Sequence, residues 1–220
     1  MDLYYLYLIF FLIDIFWKRF LQSPSMSFIN YREKEINFKI VYYGSALSGK
    51  TSSLKFIHKR SEGKDISKLT IDTGNERTLF FDFVPLFLSN TNGYKTRFHL
   101  YTVPGQVLYD DSRRLILKGV DGIVFVVDSL IEKMDANMKS LENLKSNLTE
   151  EGIALDTLPI VFQYNKRDLT QIANLEGLKK LMNPWGFPDF ETVATKGEGV
   201  FEAFKEMAKR VVREQAPKSS

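Results

Sequence analysis

Hydrophobic and polar positions change period along the chain. Residues 36–43 (INFKIVYY) and 95–103 (KTRFHLYTV) carry the short β-branched and aromatic runs of strands. A third strand is predicted over 78–89 (TLFFDFVPLFLS). Asn92-Gly93, between it and the next run, is a hairpin dipeptide, so that pair should be antiparallel. DGIVFVVDS (121–129) is a continuous apolar run of the kind buried on both faces, LPIVFQY (158–164) is a further strand, and FETVA (190–194) is a last one.

Between these runs the period becomes helical. One helix follows Gly49, and SRRLILKG (112–119) is a short one ended by Gly119. Met134, Met138, Leu141, Leu144 and Leu148 form the expected core stripe of a longer helix stopped by Gly152. A short helix covers Leu175 to Met182, and a last one sets Val200, Phe201, Phe204, Met207, Ala208, Val211 and Val212 on one face. Strands alternating with helices predict an α/β fold with a largely parallel sheet and helices on both faces, the hairpin adding one antiparallel edge strand. Ligands of such sheets bind at the carboxyl ends of the strands.

The first residues differ from the rest. MDLYYLYLIFFLIDIFWKRFLQ is apolar from Leu3 to Trp17, broken by Asp14 and closed by Lys18 and Arg19. It is short of the roughly 20 apolar residues of a membrane span, and its positive charge follows the apolar run where a secretory signal has it first. The preferred expectation is a start placed too far upstream, with Met26 the true first residue. The rival is a short membrane anchor that keeps everything after Arg19 in the cytoplasm. Residues 1–25 are therefore read as an extension, 26–215 as one domain and 216–220 as a tail.

Composition narrows the chemistry. With 30 Lys+Arg against 27 Asp+Glu, the net charge of +3 gives no support to a nucleic-acid partner. The absence of cysteine excludes disulfides and thiolate metal sites and fits a reducing, cytoplasmic compartment.

The candidate site lies at the strand ends. Gly44-x-x-x-x-Gly49-Lys50-Thr51 follows one strand and opens a helix, the setting in which backbone N–H groups cradle phosphates. Gly44, Ser48, Gly49, Lys50, Thr51 and Ser52 are its candidate nucleotide ligands, with Lys50 on the outer phosphates and the Thr51 hydroxyl on Mg2+. Asn165-Lys166-x-Asp168 follows a later strand, where the Asp168 carboxylate can accept both the N1–H and the amino group of guanine, a paired edge that adenine lacks. Asn165 would hold the loop, the Lys166 stem would cover the ring, and the Ala194 N–H in ETVATKGEGV would meet the guanine O6.

These motifs resemble those of Ras-like small GTPases. The stretches MSFINYREKEINFKIVYYG, RTLFFDFVPL, KTRFHLYTVPGQVLYDDSRRLILKGVDGIVFVVDS and YNKRDL resemble, more narrowly, the MglA group of bacterial gliding-motility and cell-polarity GTPases. The resemblance covers nearly all of the chain from Met26 to the last helix and implies a Ras-like P-loop domain with a sheet of six or seven strands. It also implies GTP/GDP and Mg2+ as ligands and slow, partner-activated hydrolysis. By resemblance Thr78 senses the γ-phosphate and Mg2+, Gly105-Gln106 carries the glutamine that orients the attacking water, and Arg77 acts as a finger in cis. Gln106, Arg77 and Lys50 are then the catalytic set.

One position departs from the general Ras pattern. Thr102 stands where an aspartate usually supports the metal, so Asp82 is the expected replacement beside Thr51 and Thr78. Thr195 stands where a lysine usually follows the alanine of the guanine loop. The implied partners are an MglB-like activating homodimer of the roadblock fold and polarity or motility effectors. The implied location is the cytoplasm, concentrated at a cell pole, with membrane contact only through residues 1–25. Three alternatives stay open: a GTP-bound scaffold with negligible turnover, an ATP-dependent P-loop kinase, and a membrane-tethered GTPase like the β subunit of a signal-recognition receptor.

Overall fold

The computed structural model describes residues 28–30, 34–61, 83–91, 94–104 and 110–215. The elements in chain order are β1 (Phe28–Asn30), β2 (Glu35–Tyr43), α1 (Lys50–Ser61), β3 (Phe83–Thr91), β4 (Tyr94–Thr102) and α2 (Asp110–Leu117). They continue with β5 (Gly122–Asp128), α3 (Met134–Glu150), β6 (Ile160–Asn165), α4 (Leu175–Met182), β7 (Asp189–Thr192) and α5 (Val200–Gln215).

The sheet runs β3-β4-β2-β5-β6-β7. β4, β2, β5, β6 and β7 are mutually parallel, and β3 lies antiparallel to β4 at one edge. β1, which the periodicity does not reveal, pairs antiparallel with the first residues of β2. At three residues it is too short for a period to show.

Strand alternation divides the core into two layers. Phe38, Ile40 and Tyr42 of β2, Val124 and Val126 of β5 and Val161 of β6 face α1 and α5. Their neighbours Val41 and Tyr43, Ile123, Phe125 and Val127, and Ile160, Phe162 and Tyr164 face α2, α3 and α4. Each fully buried aliphatic or aromatic side chain contributes about 1.5–3 kcal/mol, and stacked rings add to that. Phe98 stacks on Phe38 with centroids 5.4 Å apart and meets Phe204 edge-on at 5.9 Å, joining β2, β4 and α5.

Two expectations are corrected. Met138 is 38% exposed, whereas Asn137 and Asn147 are buried with Leu141, Leu144 and Leu148. Positions 137, 141, 144 and 148 keep the helical period, and a buried asparagine is tolerated where its amide is hydrogen-bonded. β7 ends at Thr192, so Val193 and Ala194 of the expected strand belong to the loop beyond it.

Among the described residues no helix is long and apolar enough to cross a membrane. The extension 1–25 lies outside them.

Candidate functional site

The loop after β2 needs backbone that side chains rarely allow. Gly44 and Gly49 have φ of 140° and 109°. A β-carbon on Gly44 would fall 2.2 Å from the Val126 carbonyl oxygen, and one on Gly49 would fall 2.0 Å from Asn165 Nδ2. Both positions therefore require glycine, because the loop crosses the end of β5 and touches the last residue of β6. Between them Leu47 holds φ 61° with its side chain 83% exposed.

Lys50 begins α1 and folds back over this loop. Its buried ammonium donates to the Gly44 carbonyl at 2.9 Å and the Ser45 carbonyl at 2.6 Å, which holds a positive charge inside the ring of the loop at a helix N-terminus. Thr51 is exposed on the first turn, Ser52 is half-buried, and Ser48 is fully buried with no hydrogen-bond partner for its hydroxyl among the described residues.

β6 delivers the second loop beside the first. Asn165 Nδ2 donates to the Ser48 carbonyl at 2.7 Å, while its Oδ1 accepts from the Ala194 N–H at 2.8 Å and the Thr192 hydroxyl at 3.2 Å. One amide thus joins three loops. The Ala194 N–H, expected to meet a base oxygen, is engaged by Asn165 in this structure. Lys166 has φ 68° and places its ammonium 2.5 Å from the buried carboxylate of Asp128. Asp168 is about a third exposed and lies 3.2 Å from the Lys196 ammonium.

Three residues of this neighbourhood escaped the sequence reading: Ser45, Asp128 and Asn137. Asn137 Oδ1 accepts from the Ser45 hydroxyl at 3.0 Å and the Asp128 N–H at 3.1 Å, and its Nδ2 donates to the Asp128 carbonyl at 2.8 Å. The available signals were an amide on the apolar stripe of a helix and an aspartate closing an otherwise apolar strand.

A further polar cluster reaches the start of the glutamine loop. Arg113, buried on α2, donates from Nε to the Pro104 carbonyl at 3.1 Å and from Nη1 to Asn143 Oδ1 on α3. Asn143 Oδ1 also accepts the Tyr43 hydroxyl at 2.5 Å and Asn147 Nδ2 at 3.3 Å. Thr102 is buried at the end of β4. Arg77, Thr78, Asp82, Gly105 and Gln106 lie outside the described residues.

A glycine loop gripping its own lysine, joined by one asparagine to a carboxylate-bearing loop two strands along the sheet, defines a P-loop nucleotide-binding protein of the GTPase class. The chain belongs to the Ras family, whose family model matches residues 39–213. It is 55% identical over 190 residues to the mutual gliding-motility protein MglA of Myxococcus xanthus (strain DK1622), a match covering 86% of this chain and 97% of that protein. More distant relatives include human ADP-ribosylation factor-like protein 4A, 24% identical over 193 residues, covering 80% of this chain and 84% of that one. The Ras and EF-hand domain-containing protein of Xenopus tropicalis is 27% identical over 190 residues, which cover 82% of this chain and 24% of that protein.

Membership makes the protein a GTP-hydrolysing switch of the MglA type and implies GTP, GDP and Mg2+ as its ligands. The residues present fit the nucleotide, since the loop is closed around an ammonium and leaves no room for a β-carbon at Gly44 or Gly49. They also suit Mg2+, which takes few protein oxygens together with substrate phosphates: Thr51 offers an exposed hydroxyl on the first turn of α1.

Proposed function

We propose that this GTPase controls cell polarity or gliding motility, and that its two loops divide the nucleotide between them. The observation that carries the division is the Asn165 amide, which fixes the phosphate loop and the guanine loop to each other through the Ser48 carbonyl and the Ala194 N–H. Gly44, Ser48, Gly49 and Ser52 line the phosphates, Lys50 neutralises their charge, and the Thr51 hydroxyl is the described ligand for Mg2+. Bound there, Mg2+ would supply charge neutralisation at the β- and γ-phosphate oxygens. Asp168 accepts from the guanine edge, Lys166 is steadied over the ring by Asp128, and Asn165 keeps that loop closed.

Hydrolysis is assigned to the resemblance-derived set. Gln106, next to Gly105, orients the attacking water, Arg77 neutralises charge in the transition state, and Thr78 and Asp82 complete the γ-phosphate and metal contacts. Phosphoryl transfer depends mainly on positioning and charge, so an incompletely assembled site is slow and a partner can raise its rate by about 10³ to 10⁵. The partner assigned is a roadblock-fold homodimer of the MglB kind, acting on a cytoplasmic protein concentrated at a cell pole. Effectors then read the GTP-ordered loops, and hydrolysis releases them.

Single-turnover GTP hydrolysis with and without such a homodimer tests this reading. The expected result is a partner-dependent acceleration that Gln106→Leu and Arg77→Ala each abolish. GTP held tightly with a flat, negligible rate would overturn it in favour of a nucleotide-bound scaffold, with the loss of a carboxylate at Thr102 as the chemical reason.

A further inference from the structure

Asn137 touches the phosphate loop directly, and reaches the guanine loop through Asp128. It sits in the first turn of α3, fully buried on a face it shares with Leu141, Leu144, Asn147 and Leu148. Its amide is held on one side by the Ser45 hydroxyl of the phosphate loop, and on the other by both backbone groups of Asp128 at the end of β5. The Asp128 carboxylate continues the line, taking the Leu130 N–H at 3.1 Å on one oxygen and the Lys166 ammonium at 2.5 Å on the other. Ser45, Asn137, Asp128 and Lys166 therefore form an unbroken chain from the phosphate loop to the guanine loop. It runs apart from the direct Asn165 link.

A buried amide in place of a leucine costs desolvation, which is offset only when its partners stay in place. Movement of Ser45 would take away one of the two donors of the Asn137 carbonyl, and movement of the Asp128 backbone would take the other donor and the acceptor of the amino group. Opening both loops then costs less than the sum of the two separate openings, which is a coupling between sites carried by one side chain.

We propose that Asn137 is a positioning residue that locks the phosphate loop to the guanine loop and so sets the rate at which bound guanine nucleotide leaves. The proposal rests on the assignment of these two loops to the phosphates and the base.

Release of a fluorescent GDP from the full chain, chased with excess unlabelled GDP, tests it. Ser45→Ala, which removes only the phosphate-loop end of the chain, is expected to speed release several-fold, and Asn137→Ala about ten- to a hundredfold, with the association rate changed far less. The effects of Ser45→Ala and Asp128→Asn on release should be non-additive with Asn137 in place and should add when it is alanine. A side chain that merely supports the fold would leave that additivity unchanged. Release at the wild-type rate in Ser45→Ala, or additive effects in the presence of Asn137, overturns the proposal even if Asn137→Ala does not fold. A wild-type chain that binds no labelled GDP overturns instead the guanine-nucleotide assignment on which it rests.

Discussion

Asn165 Nδ2 lies 2.0 Å from the point a β-carbon on Gly49 would occupy, and 2.7 Å from the Ser48 carbonyl that it binds. The glycine and the asparagine are separate requirements in the sequence, yet each exists for the other in space: removing hydrogen from Gly49 in favour of a methyl group would evict the amide that closes the two loops.

Gly49→Ala should therefore lower GDP affinity by about a hundredfold or more, combining strain at positive φ with loss of the Asn165 bond. Titration with fluorescent GDP measures this. Gly177→Ala on α4 is the contrasting change: nothing lies within 4 Å of its added carbon, and thermal unfolding should show about 0.5–1 kcal/mol of stabilisation.

Asp168 stands exposed enough to meet a base, and among the described residues its ion pair is with the exposed Lys196. Asp168→Asn exchanges an acceptor for a donor, so xanthosine diphosphate should displace GDP as the preferred ligand, with GDP affinity down by about a hundredfold or more. Competition titration of the two diphosphates measures the exchange, and an unchanged preference would remove Asp168 from the contacts to the base.

Arg113 grips the Pro104 carbonyl, two positions before Gln106, from a buried seat shared with Asn143. A lysine cannot present the same planar fork. Arg113→Lys should slow single-turnover hydrolysis about tenfold while GDP affinity stays within about twofold, because the loss falls on the glutamine loop and spares the phosphate and guanine contacts.

Asp121 gives the fold a pH dependence. Burial at the start of β5 pushes its carboxyl up to about 6, against the Lys39 N–H and ammonium, which favour the charged form. A raised native value means that its stabilising contribution is complete below pH 4 and is lost as pH rises through 6. The difference is about 3 kcal/mol for a shift of this size. Asp121→Asn, which cannot titrate, should gain on the wild type by up to that amount between pH 4 and pH 7. Chemical denaturation at both pH values reads the difference.

Most of the architecture was legible from short-range pattern. The buried run at β5, the strand β6, the helices at Leu175–Met182 and Val200–Gln215, and the antiparallel β3–β4 pairing follow from period and turn chemistry. Asn137 was not legible, because a helical stripe tells which positions face inward and not which inward position meets polar groups. Met138 was accordingly placed in the core and Asn137 left out. The bond between the Ala194 N–H and Asn165 was illegible for a related reason: a loop sequence shows that a donor exists, and only its neighbours show that Asn165 takes it.

By itself the sequence determined what depends on neighbours a few residues away: where strands and helices form, where only glycine fits, and which short motifs could hold phosphate and guanine. Tertiary structure decided which of those groups meet. Asn165 reaches Ser48 across 117 positions and Asn137 reaches Ser45 across 92, contacts fixed by the order β2-β5-β6 and by the first turn of α3 meeting the end of β5. No local period contains that order, because it is set by how separate apolar faces are buried together.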